Sequence, residues 1–200
     1  MANMAPLDPG PLPPPDFAAR LLPTEIVPAG VRLIRIHRNA FSPVFFGPTG
    51  GNRFDDPTRR YGVCYFALSV EGAFAQTCLR AVGARFVAMT FLEERSFSEI
   101  EVTTPLRIVA LHGAGLAQRG ATSVVSSGPH GLAQQWLQAI HNHPQVPDGI
   151  SYRSNHDNSE LCVALFDRCQ TSLRAGGARP IMMDPTALAT LLNHYNVGLG

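Results

Sequence analysis

Residues 47–57 read GPTGGNRFDDP and hold the chain's most suggestive grouping of side chains. Glycines let backbone amides approach an anion closely, and Arg53 adds a planar guanidinium suited to a diphosphate. The segment lacks the Lys-Ser/Thr of a P-loop and the spacing of GxGxxG. A structural turn is the simpler reading, which Arg53 tilts toward phosphate. Asp55 and Asp56 could serve as paired carboxylates in acid–base work, but neighbours in a loop point apart, which favours turn-making. Arg35 lies in VRLIRIH between Ile34 and Ile36. Alternation aims it away from them, so it matters to chemistry only where its own face borders a cleft. His141 with His143, and His156 with Asp157, could be imagined as metal ligands. Rings two residues apart at a helix end face different ways, and no carboxylate or cysteine spacing completes a shell. These histidines read as exposed, capping or loop-bound, and no metal is expected. Neither a GxSxG elbow nor a defensible Cys-His-Asn order is present. Cys64, Cys78, Cys162 and Cys169 show no CxxC spacing and read as free thiols, with Cys64 and Cys162 in apolar, buried runs.

The elements that must position these residues are several short strands and few helices. Eight of the seventeen prolines fall in residues 1–28, so residues 1–30 read as a proline-rich N-terminal arm, lying on the domain or free. Residues 31–200 read as one domain. Strands are predicted at 31–37, 63–69, 85–92, 97–102, 106–111, 150–153 and 161–166. Helices are predicted at 70–80, capped by Ser69, at 130–142, with Leu132, Trp136, Leu137 and Ile140 on one face, and from Asp184-Pro185 to about residue 195. Residues 38–60 form a long, ligand-sized loop. Without strict strand–helix alternation, the class is α+β. Two hundred residues with 45% apolar and only 16% charged side chains suffice for one buried core. A net charge of +1 argues against direct nucleic-acid binding, and no apolar run reaches the ~20 residues of a membrane helix. The N-terminus lacks a secretory signal pattern, which points to the cytoplasm. Homodimerisation through apolar surface is compatible with the sequence.

The order LIRIHR (33–38), GGNRFDDP (50–57), YGVCYFALSVEGAFAQT (61–77), DGISYRSNHD (148–157) and CVALFD (162–167) resembles the RES domain family. The resemblance runs from about Leu33 to Asp167. It implies the toxin half of a bacterial toxin–antitoxin pair, neutralised by an Xre-type helix-turn-helix antitoxin. It also implies an ADP-ribosyltransferase-like fold, with a NAD cleft between two small β-sheets and flanking helices. The implied activity is cleavage of the nicotinamide–ribose bond of NAD, with water or phosphate as acceptor, or transfer of ADP-ribose to a protein.

Carried over by motif, the family's loop arginine falls on Arg53, its strand tyrosine on Tyr65, its serine on Ser154 and a second recurrent arginine on Arg35. The family's glutamate would stand eleven residues after the tyrosine, where this chain has Gln76. The resemblance thus implies that Arg53 and Arg35 hold the diphosphate, Tyr65 stacks on nicotinamide and Ser154 orients the ribose or the acceptor. An acid at position 76 would offset positive charge developing on the ribose; glutamine keeps the shape without that charge. Glu71 lies about 140° around a helix from position 76 and is not expected to replace it. Glutamine there has three readings: a natural variant of low activity, a change that spares an expression host, or a displaced register in the match. A catalytically silent NAD or ADP-ribose binder, or an antitoxin decoy, is the alternative function.

Overall fold

The computed structural model describes residues 10–80, 83 and 85–200. Residues 1–9 of the expected N-terminal arm lie outside the described residues. In chain order the elements are β1 (Glu25–Val27), β2 (Arg32–Arg38), β3 (Val63–Ala67), α1 (Val70–Cys78), β4 (Phe86–Val87), α2 (Met89–Glu93) and β5 (Arg95–Val102). There follow β6 (Leu106–Leu111), α3 (Ala114–Arg119), α4 (Val124–Ser127), α5 (His130–His141), β7 (Gly149–Arg153) and β8 (Leu161–Phe166). The chain closes with β9 (Leu173–Ala175), β10 (Arg179–Pro180), α6 (Pro185–His194) and β11 (Gly198–Leu199). The α+β class expected from the sequence is the one the chain adopts.

One sheet runs β1-β6-β7-β8-β3-β2-β5-β10, with β9 also on β5, while β4 and β11 form a small second, parallel sheet. Among the described residues of the large sheet, β6 and β7 are the one parallel pair. Its two halves barely touch. β3 pairs with β8 along five residues and β2 with β5 along seven, yet β2 and β3 meet at the single pair Ile34↔Ala67. Beyond that pair the two half-sheets splay, and a gap opens between them.

Side-chain alternation gives each half-sheet two buried faces. On one face Leu33, Cys64, Phe66, Ile100, Leu106 and Leu165 close on one another, because the sheet curls. On the other, Ile36, Ala67, Val109, Ile150 and Ala164 pack beneath the helices, against Phe74 of α1 and Trp136, Leu137 and Ile140 of α5. Helix α1 starts at Ser69, whose Oγ accepts from the Gly72 amide at 2.9 Å. Helix α6 starts at Asp184, which accepts from the Ala187 amide at 2.9 Å and is followed by Pro185.

Residues 10–27 lie against this frame. Phe17 and Leu22 are buried, Trp136 Nε1 donates to Pro11 O at 2.8 Å, and β1 pairs antiparallel with β6 as an edge strand. That strand falls within the segment expected to be arm. Residues 85–92, expected as one strand, divide into β4 and α2. A short apolar run carries no period long enough to choose between helix and strand. The choice was made by a distant partner, since β4 is held by the C-terminal β11. Among the described residues no helix is long and apolar enough to cross a membrane.

Candidate active site between the half-sheets

The splay between β2 and β3 opens a cleft of about 710 Å³, walled by both strands, the 51–54 loop, α1, and the Asn155–His156 turn. Arg53, Tyr65 and Gln76 all line it. These three sequence candidates, spread over 24 positions, converge because β3 leads directly into α1 while the preceding loop folds back over β3.

Asp55 organises that loop. Its carboxylate, 2% exposed, accepts from Tyr65 OH at 2.8 Å, from the Asn52 amide at 3.0 Å, from Asn52 Nδ2 at 2.9 Å and from Thr49 Oγ1. Tyr65 OH in turn accepts from the Phe54 amide at 3.0 Å. Asp56 is equally buried but faces the other way, accepting from Gln138, Thr58 and Arg60. Burial would raise its pKa, but those hydrogen bonds outweigh burial and hold it below the ordinary value. The two aspartates therefore build the loop, as adjacent turn residues do.

Arg53 is held at one point, donating to Gly128 O. No other hydrogen bond engages its guanidinium among the described residues, which leaves most of its donors for a ligand. Burial lowers its pKa, opposed by the phenols of Tyr152 and Tyr65. Tyr65 presents a ring to the cleft, while burial, then Asp55, pushes its phenol well above the usual range, so it stays protonated. Gln76 sits on the cleft-facing side of α1 with its amide against the Cys162 thiol, which burial pushes up to about 12. Glu71 does not reach the cleft walls, in keeping with its angle around α1.

Two expected site residues are placed differently. Arg35 borders the cleft through its strand, but its guanidinium donates to Pro43 O at 2.7 Å and Cys64 Sγ at 2.7 Å and lies 5.8 Å from the Phe66 ring centre. Those partners belong to the opposite face of the sheet, so Arg35 braces the 39–46 loop; strand parity with Ile34 and Ile36 dictates this. Ser154 is 2% exposed and is not part of the cleft wall. Its Oγ accepts from the amides of His156 and Asp157, each at 3.2 Å, and so fixes the turn that carries Asn155 and His156 into the cleft.

Arg38, Arg80, Arg95, Asn155 and His156 line the cleft without having been singled out for it. Arg38 was legible from parity, because it shares a strand face with Ile34 and Ile36. Burial, then Arg80 and Arg53, lowers the pKa of His156, which makes it a neutral imidazole near pH 7. The other histidines weighed as ligands do structural work. His141 stacks on Tyr61 with ring centres 3.8 Å apart, and His143 is buried, its Nε2 3.2 Å from Arg20 O. Among the described residues the cleft wall contains no carboxylate and, besides Arg35 with its guanidinium on the far face, the arginines Arg38, Arg53, Arg80 and Arg95. Such a surface suits a polyanionic ligand.

A model of the RES domain family matches residues 32–184. The chain belongs to the RES domain family. A relative named "Probable toxin y4kH", from Sinorhizobium fredii (strain NBRC 101917 / NGR234), is 31% identical over 122 residues, spanning 59% of this RES chain and 95% of the relative. A chain in the crystal structure of the M. tuberculosis MbcT-MbcA toxin-antitoxin complex superposes with a TM-score of 0.65, covering 83% of this chain and 91% of that one at 15% identity. At that identity the likeness shows a shared fold, the α+β arrangement expected for a RES domain.

Proposed function

We propose that this RES chain is the toxin of a toxin–antitoxin pair and acts on NAD by cleaving the nicotinamide–ribose bond. The observation that carries the reading is the convergence of Arg53, Tyr65 and Gln76 on one arginine-lined cleft with no carboxylate in its wall among the described residues. Family membership, the relative named a probable toxin and the fold shared with a toxin–antitoxin complex support it.

In this reading the free donors of Arg53 grip the diphosphate. The Tyr65 ring faces nicotinamide and fixes the scissile bond. As the bond breaks, its electron pair goes to the pyridinium nitrogen, and positive charge develops at the anomeric carbon. The Gln76 amide hydrogen-bonds a ribose hydroxyl but supplies no negative charge. Losing one preorganised electrostatic group costs about a hundred- to thousandfold in rate. The acceptor, water, phosphate or a protein nucleophile, forms the new bond to that carbon and loses its proton. Ser154 acts through the turn that presents Asn155 and His156. The partner in this reading is an Xre-type antitoxin, the compartment is the cytoplasm, and residues 31–200 act as one catalytic domain behind the 1–30 arm.

A second reading, a silent NAD or ADP-ribose binder, draws on the same absence of an acid from the cleft wall among the described residues. The Gln76→Glu variant separates the two. NAD consumption by purified Gln76→Glu protein, at least about a hundredfold above the Gln76 form, supports the enzyme. Tight NAD binding without turnover in both forms supports the binder. Undiminished NAD affinity in Arg53→Ala would refute the site itself.

A further inference from the structure

The cleft contains more positive charge than a diphosphate on Arg53 requires. Arg38 and Arg95 are direct cross-strand partners on β2 and β5, an arrangement of like charges that is unfavourable without an anion between or beside them. Arg95 is 7% exposed and lines the cleft, its guanidinium carbon 3.2 Å from the Phe91 ring centre and its Nη1 donating to Phe91 O. Arg80, tied by Nε to Gln76 O at 3.0 Å, also lines the cleft. Burial is the chief cause that lowers the Arg95 pKa, and the charges of Arg38 and Arg80 add to it. Elsewhere the described arginines that pair with carboxylates do so at the surface or in the loop: Arg20 with Asp16, Arg32 and Arg179 with Glu99, Arg60 with Asp56, and Arg174 with Glu101. Arg38, Arg80 and Arg95 have no such partner among the described residues.

We propose that Arg38, Arg80 and Arg95 form a subsite for a phosphate monoester, so that the cleft prefers a nicotinamide dinucleotide carrying a phosphate on its adenosine ribose (NADP) over NAD. The inference rests on the dinucleotide reading of the cleft and extends it. Three guanidiniums offer a monoester dianion several charge-assisted hydrogen bonds, whereas the corresponding ribose hydroxyl of NAD leaves the like charges uncompensated. Inorganic phosphate shares this chemistry and is the competing source.

Calorimetry on the full chain with Gln76 in place tests the assignment, using NAD, NADP and inorganic phosphate. The expected result is NADP binding about ten- to hundredfold more tightly than NAD, with the ratio falling to about one in Arg38→Ala and in Arg80→Ala. Both positions are exposed, so neither change threatens the fold. Phosphate should bind the NAD-saturated protein but not the NADP-saturated one. Equal NAD and NADP affinities, both weakened by Arg53→Ala, would overturn the subsite and leave the dinucleotide reading standing. If neither dinucleotide binds, both readings are overturned. Phosphate that binds NAD- and NADP-saturated protein alike, and is lost in Arg38→Ala, would assign the arginines to a free anion and overturn the ribose-phosphate assignment.

Discussion

Replacing Asp55 with alanine probes whether the glycine-rich loop is a built part of the cleft. Four donors converge on this carboxylate: Thr49 Oγ1, the Asn52 amide, Asn52 Nδ2 and Tyr65 OH. Thr49 is exposed and regains water at little cost once its acceptor is gone. The Asn52 amide and the Tyr65 hydroxyl are set deeper, and each hydrogen bond to a charged acceptor contributes about 1.5–3 kcal/mol. Allowing for non-additivity within one network, Asp55→Ala should cost about 3–4 kcal/mol of unfolding free energy. That is a large fraction of the about 5–15 kcal/mol available to a domain of this size. Asp55→Asn keeps one acceptor oxygen for Tyr65 and should lose about half as much. Urea denaturation reads both values, and hydrogen exchange should quicken at residues 49–55, the Phe54 amide among them. Because Arg53 rides on the same loop, NAD affinity should fall in parallel. A loss below about 1 kcal/mol with unchanged exchange in the loop would refute the argument that Asp55 holds this wall of the cleft.

Ser154→Ala removes the acceptor for two turn amides and should cost about 1–2 kcal/mol, with faster exchange at His156 and Asp157; unchanged exchange there would show that the turn holds itself. Asp56, its pKa depressed in the folded state, contributes stability that is complete above the unfolded value of about 3.9 and is lost as pH falls through the folded value. Wild type and Asp56→Asn should therefore keep a constant gap in stability above the unfolded value of about 3.9 and converge only below it. A gap that persists unchanged at lower pH would contradict the assignment. A side chain at Gly149 would collide with Ala164 O and the Leu165 backbone on the neighbouring strand. Gly149→Ala should cost at least about 1–3 kcal/mol by thermal unfolding, and a neutral result would show that the β7–β8 pairing yields more readily than close-packed strands allow.

The local signals that proved legible are those in which one short stretch contains its own instructions. LRIVAL and LCVALF became β6 and β8 over the predicted residues, and Ser69 and Asp184 became caps, because burial pattern and capping are nearest-neighbour effects. The order of Arg53, Tyr65 and Gln76 was equally legible as motif. β5 starts at Arg95, two residues ahead of the predicted 97–102, and takes in Ser96, which is buried with its Oγ donating to Asn39 Oδ1 at 2.8 Å. A polar residue satisfied across strands looks exposed when only its own strand is in view.

The chain itself determined its α+β class, its caps and the spacing that brings a loop guanidinium, a strand phenol and a helix amide into sequence register. Tertiary structure decided which of them share a space. One bridging pair between β2 and β3 opened the cleft, strand parity sent the Arg35 guanidinium to the far face while Arg38 stayed on the near one, and Ser154 was sealed behind the turn it caps. The division has a physical cause. Capping and periodicity depend on residues a few positions away, whereas which face borders a cavity depends on strand pairs separated by tens of residues and fixed only on folding.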